Sequence, residues 1–158
     1  MSRSKQIGTS AENHVVDYIA TRGFAGAERR ALFGVNDRGD ITGTPGICWQ
    51  VKGGKMAETA SDNRIREWMD ELDAQIANSG SDFGVLIRKR SGYGAKRVGQ
   101  WYAHMRMGTM YDLMHRSAAL SKGEDGKCPA EKSAVLGDEV VTMSTEAAVV
   151  LLSHAGYR

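Results

Sequence analysis

Gly39-Asp40-Ile41-Thr42-Gly43-Thr44-Pro45-Gly46-Ile47-Cys48-Trp49-Gln50-Val51-Lys52-Gly53-Gly54 is the stretch on which the fold turns. Gly and Pro interrupt two runs of strand-forming residues, so it reads as a β-hairpin with Asp40 on its first strand and Gln50 and Lys52 on its second. Strand side chains alternate between faces, which places Ile47, Trp49 and Val51 on one side and Cys48, Gln50 and Lys52 on the other. Asp40 faces the same way as Gln50 and Lys52 only if the connection has an odd number of residues, such as Gly43 to Pro45, or if a bulge restores the phase. Taken by itself, the stretch also fits an ordinary polar-faced hairpin.

The polar residues are those needed to cut a phosphodiester. Acidic or amide oxygens hold a hard divalent cation, the cation activates water, and an ammonium orients the nucleophile or steadies the charge that develops. Gly39-Asp40-Ile41 followed by Trp49-Gln50-Val51-Lys52 resembles the PD-(D/E)xK nuclease superfamily, and within it the Holliday junction resolvases encoded by bacteriophages, over roughly residues 5 to 105. The resemblance implies a restriction-endonuclease-like α/β fold: a three-layer core with a mixed central sheet flanked by helices. It also implies a catalytic set of Glu12, Asp40, Gln50 and Lys52. Mg²⁺, or Mn²⁺ in its place, would be held by Glu12, Asp40, Gln50 and the backbone carbonyl of Val51. The implied partners are branched DNA and a second copy of the chain, because resolving a four-way junction takes two symmetric nicks. The superfamily most often has an acid where this chain has Gln50. A glutamine keeps one oxygen for the cation and gives up a negative charge, so cleavage is expected to be weak or to need Mn²⁺, and Gln50→Glu to raise nicking in Mg²⁺. A tolerated variant, a chain altered to trap substrate, and a protein that binds junctions but cuts poorly all fit this residue.

Upstream, Thr9 or Ser10 is the expected cap of a helix running to about Arg22 and stopping at Gly23. Counting 100° per residue, Glu12 falls within the arc of Val15, Val16 and Ile19, on the side that faces the protein. Thr9-Ser10-Ala11-Glu12 matches a capping box, which accounts for Glu12 without catalysis. A place at the metal site, the role that the resemblance implies, accounts for it too and does not exclude the capping box, since a cation offsets the cost of a carboxylate on the inward side. Glu28 to Phe33 reads as a first strand on which Arg29 and Arg30 either meet DNA phosphates or decorate a solvated strand end. Asp37, in the loop before the hairpin, suits an Asx-turn.

Beyond Lys52, a polar segment with Lys55 leads to Asp62, the expected cap of a helix that packs through Ile65, Trp68, Met69, Leu72 and Ile76, with charged residues opposite, and ends at Gly80. Phe83 to Arg88 is apolar on both faces, as in an interior strand. Arg88, Lys89, Arg90, Lys96 and Arg97 then flank Gly92-Tyr93-Gly94, and Val98 to Met105 reads as the returning strand. This loop is either a basic finger that follows phosphates, with Tyr93 stacking on a base, or a solvated charged turn. Thr109 to Ala119 is a short helix with Met110, Leu113 and Met114 inward. Ser121 to Glu139 is a polar, mobile connection, followed by a strand at Val140 to Met143 and an apolar helix, capped by Ser144 or Thr145, that either packs back on the core or lies in a dimer interface. The expected organisation is a nuclease core over 1-120 and a mobile connection with a C-terminal strand and helix over 121-158.

The remaining features bound the class. With 158 residues, 41% hydrophobic and 25% charged, the chain is sized for one globular unit. The net charge of +2 means that affinity for nucleic acid must come from local clusters. Cys48 and Cys128 form no paired motif, and the four histidines show no zinc spacing. The longest apolar run, Ala147 to Leu152, is too short to span a bilayer and no leader opens the chain, so a cytoplasmic location is expected, in the host cell if the chain is phage-encoded. Two other functions stay open: a DNA-binding module that does not cut, and a nuclease of this fold with another DNA target.

Overall fold

The computed structural model describes residues 2–31, 37–125 and 136–158. Strands β1 (Glu28–Arg29), β2 (Ile41–Thr42), β3 (Ile47–Lys52), β4 (Phe83–Arg88), β5 (Tyr102–Arg106) and β6 (Val140–Ser144) form one sheet, adjacent in sequence order. Only β3 and β4 run parallel, and every other neighbouring pair is antiparallel. Helices α1 (Arg3–Ala20), α2 (Gly54–Glu58), α3 (Asp62–Ser79), α4 (Met107–Ser121) and α5 (Thr145–His154) cover it. The chain is thus an α/β protein with a mixed sheet between helical layers. Among the described residues, no helix is long and apolar enough to cross a membrane.

The alternation of β3 sorts the two layers. Ile47, Trp49 and Val51 join Val85, Ile87, Ala103 and Met105 against α1, α4 and α5, which contribute Val15, Ile19, Leu113, Ala148 and Leu152. Cys48 and Leu86 turn to the other side and pack on Ile65, Trp68, Met69 and Leu72 of α3. The β4 residues are buried from end to end because both faces are covered. Gly84 lets α3 come close: a Cβ there would lie 2.7 Å from Leu72 Cγ. The hairpin turn depends on Gly43 and Gly46, whose φ angles of 78° and 83° are left-handed.

Several local expectations are corrected. α1 begins at Arg3, capped by the Ser2 hydroxyl, so Thr9 and Ser10 lie inside the helix and there is no capping box. Ser61, not Asp62, caps α3, and the polar stretch before it holds the short helix α2. Val98 does not open a strand: Ala95–Gln100 is a 3-10 segment, and β5 begins at Tyr102. Met114 of α4 is 56% exposed and Leu113 carries the packing. Of the expected first strand, Leu32 and Phe33 lie outside the described residues, as do Cys128 and most of the connection before β6. Residues 140–158 are not set apart from the rest. β6 pairs with β5 along its length, and Ala148 and Leu152 of α5, with Ala155 just after it, are fully buried in the layer shared with α1.

Candidate functional site

The hairpin register decides where Asp40 goes. Pairing of Ile41 with Trp49 centres the turn on Pro45, the odd connection that keeps alternate residues in phase. Asp40 then leaves the ladder. Its N–H donates to the Trp49 carbonyl at 2.7 Å, so two successive residues address one partner as in a bulge, and its carboxylate accepts the Val51 N–H at 2.6 Å. A side-chain oxygen thus stands where a backbone carbonyl would complete the pair, and the half-buried carboxyl is held at the rim of the sheet beside β3.

Burial pushes the Asp40 carboxyl up to about 6. The Val51 N–H opposes this, the Glu12 charge adds to it, and the Lys52 charge opposes it. Glu12 and Lys52 are therefore both within electrostatic reach of Asp40, and they approach from different sides. Glu12 lies on α1, against the Trp49 and Val51 face, where Gly53 gives the helix its close approach. With no capping box, its carboxylate is held by Arg29, Nη1 to Oε2 at 3.4 Å. Gln50 and Lys52 point to the α3 side. The expected set does not share one face: Asp40 stands between Glu12 on one side and the Gln50–Lys52 pair on the other.

On the α3 side the sequence reading missed a residue. Glu71 Oε2 lies 3.2 Å from Lys52 Nζ and 3.4 Å from the amide end of Gln50. Lys52 Nζ also stands 5.5 Å from the centre of the Trp68 ring. Gln50 is 3% exposed, and one orientation of its amide suits Trp68, Lys52 and Gln75 while turning its oxygen toward Glu71. Its nitrogen then donates to the Trp68 carbonyl at 3.1 Å, and its oxygen accepts from Lys52 Nζ and Gln75 Nε2, each at 3.1 Å. Gln75 donates in turn to Asp37 Oδ2 at 2.7 Å, while Asp37 Oδ1 accepts the Gly39 N–H in the expected Asx-turn. A buried amide relay from α3 thereby anchors the loop that delivers Asp40. Glu71 is three residues beyond Trp68, at the border of the apolar arc, which was the available signal; grouping it with the solvent face hid it.

Of the residues expected to meet nucleic acid, Arg88 is turned inward. It is 8% exposed, donates to the Ala57 carbonyl at 2.8 Å and to His104 Nε2 at 3.3 Å, and burial lowers its affinity for its proton. Arg29 is paired with Glu12, Lys89 is paired with Glu58 at 2.9 Å, and Lys55 is exposed 3.9 Å from Glu58. Arg30 is half-buried, and its backbone N–H holds the Asp40 carbonyl at 2.7 Å. Tyr93 does not stand free on a finger: its carbonyl accepts from Trp101 Nε1 at 2.8 Å and its ring packs against the core. Arg90 and Arg97 sit on that ring, 4.4 and 4.3 Å from its centre, and Arg90 also sits 5.0 Å from the Tyr102 ring, which Arg88 covers at 4.5 Å. The loop is a ladder of alternating guanidinium groups and rings, in which stacking fixes the cations and leaves the N–H edges of Arg90 and Arg97 for anions. Lys96 is exposed beside it.

The carboxylate, amide and backbone oxygens near Asp40 are of the type that suits Mg²⁺ and Mn²⁺. Among the described residues, no three Asp, Glu, His or Cys side chains stand close enough to hold a metal ion together. Any site here draws on one or two carboxylates completed by amide, backbone and water oxygens. A buried carboxyl with a second acid nearby is the kind of group a cation stabilises, and on that ground the residues fit. Comparison with family models, curated proteins and solved structures gave no match.

Proposed function

We propose that this chain is a metal-dependent endonuclease that nicks branched DNA, four-way junctions foremost, by hydrolysing a phosphodiester at the rim where Asp40 meets β3. The observation that carries this reading is the Asp40 carboxyl, braced by the Val51 N–H and acted on by the charges of both Glu12 and Lys52. Water adds to phosphorus, the bond from phosphorus to one sugar oxygen breaks, and a phosphate and a hydroxyl remain. A bound Mg²⁺ or Mn²⁺ supplies activation of that water and neutralisation of the phosphate. Asp40 and the Val51 carbonyl would hold the cation, with Glu12 contributing directly or through water. Lys52 supplies the positive charge that orients the water and steadies the extra charge on the phosphate oxygens. Gln50 keeps Lys52 in place through its own oxygen. The guanidinium ladder of Arg90 and Arg97, with Lys96 and Lys55, carries the backbone of the DNA. Two nicks on opposite strands call for two copies of the chain.

The neutral Gln50 favours a second reading, a junction-binding protein that cuts poorly. Lys52→Ala and Asp40→Asn separate the two. In the nuclease reading, each lowers the nicking of a synthetic four-way junction by about a hundredfold or more, the usual cost of losing a group that acts in the transition state, while junction affinity stays within about threefold. If both variants nick like the parent, the nuclease reading is wrong. If neither the parent nor the variants nick in Mg²⁺ or Mn²⁺ but all bind junctions, the binding reading replaces it.

A further inference from the structure

We propose that Glu71 of α3 brings a carboxylate to the cation site from the α3 side, filling the role for which Gln50 has lost the charge. The inference rests on the nuclease reading only for the purpose of the site; its first test needs no DNA.

The oxygens around Lys52 define the place. With the Gln50 amide oriented to suit Trp68, Lys52 and Gln75, its oxygen and Glu71 Oε2 both approach the Lys52 ammonium, at 3.1 and 3.2 Å. The two positions are 3.4 Å apart. Adjacent ligands of an octahedral Mg²⁺ with bonds of 2.0–2.1 Å lie about 2.9 Å apart, so a small movement suffices to bring them to one ion. A carboxylate and an amide oxygen already converge on a positive charge, and that charge is an ammonium on a flexible stem. Gln50 cannot supply the missing anion, and its amide is fastened on the α3 side by the Trp68 carbonyl and Gln75. Glu71 can: its side chain is 53% exposed and, with Gln50 in this orientation, its hydrogen-bond partner among the described residues is Lys52. Gln75, 4% exposed in the same polar layer, has an amide oxygen without a hydrogen-bond partner among the described residues. In the structure Glu71 neutralises Lys52. On taking a cation it gives up that pairing and leaves the ammonium for the phosphate.

The test relocates the charge. Mn²⁺ binding is measured by isothermal titration calorimetry on the full chain without DNA, for the parent, Glu71→Gln, the exchange Gln50→Glu with Glu71→Gln, and Glu67→Gln. Glu67 is on the same helix and paired with Arg64, so it controls for bulk charge. The expectation is a loss of about tenfold or more in Mn²⁺ affinity for Glu71→Gln, recovery to within about threefold in the exchange, and no change for Glu67→Gln. Parent-like affinity in Glu71→Gln, an equal loss in Glu67→Gln, or no Mn²⁺ binding by the parent overturns the proposal. Junction nicking is read in parallel on the same proteins. Nicking that survives in Glu71→Gln with unchanged Mn²⁺ affinity removes Glu71 and leaves the nuclease reading standing. Mn²⁺ affinity that follows the carboxylate with no nicking by the parent supports Glu71 and removes the nuclease reading.

Discussion

Arg88, His104 and Thr142 form a polar line across β4, β5 and β6 on the face that carries Gln50 and Lys52. His104 accepts from Arg88 at 3.3 Å through Nε2 and meets the Thr142 hydroxyl at 2.8 Å through Nδ1. Burial, helped by the Arg88 charge, pushes the His104 imidazole down to about 4. An unfolded chain takes up that proton near 6.5. Between these values the unfolded state holds more protons than the folded one, so stability is full above about pH 6.5 and falls as the pH drops toward 4. The predicted loss is on the order of 3 kcal/mol, because each tenfold drop in proton affinity on folding costs about 1.4 kcal/mol. Urea melts of the parent and His104→Gln at pH 7, 5.5 and 4.5 check it: the parent weakens over this range, and the difference between the two proteins narrows. An equal decline in both would place the acid sensitivity elsewhere. At this scale the sequence was informative at two backbone positions in particular. Asp37 takes its Asx-turn and Gly80 ends α3 in the left-handed region because those residue types favour those conformations. Arg88 and Glu71 were misplaced because their settings come from strands and helices distant in the chain.

Two elements carry predictions of their own. Gly84 lies under α3, where a Cβ would meet Leu72 Cγ at 2.7 Å and Ile76 Cδ1 at 2.9 Å. Gly84→Val should destabilise the fold by about 1–3 kcal/mol through overpacking, read as a lower urea midpoint; an unchanged midpoint would mean that α3 is free to lift. The ladder of Arg90, Tyr93 and Arg97 predicts a particular response to salt. Arg90→Gln and Arg97→Gln should each weaken junction binding and reduce the slope of log affinity against log salt by about 0.9, one phosphate contact apiece. Tyr93→Leu should weaken binding because the guanidinium groups lose their stacking surface, whereas Tyr93→Phe should bind like the parent. If Tyr93→Phe is as weak as Tyr93→Leu, the ring is not acting as a stacking platform. The hairpin and α3 were visible in the sequence as alternation and helical spacing. The start of α1 was not, because Thr9 and Ser10 imitate a cap whose role is taken by Ser2.

For the whole molecule, the layer that supports the site is closed from the C-terminal end of the chain. β6 extends the sheet beyond β5, and α5 fills the layer shared with α1, the helix that carries Glu12. A chain ending at residue 139 is therefore predicted to lose cooperative thermal unfolding rather than to leave a folded core, and circular dichroism melts would show it; a sharp transition in the shortened chain would mean that residues 140–158 are dispensable. The sequence left open whether these residues return to the core, because the polar run from Ser121 to Glu139 looks like a boundary and no local pattern reports which sheet the following strand joins. The α/β class was legible because apolar periodicity alternates between periods of two and 3.6 along the chain. The most direct measurement is the nicking of a four-way junction beside a linear duplex of the same sequence, with Mg²⁺, with Mn²⁺ and with chelator. The prediction is metal-dependent nicks in the junction, faster in Mn²⁺, with the duplex largely intact. No cleavage of any branched substrate in either metal would contradict it.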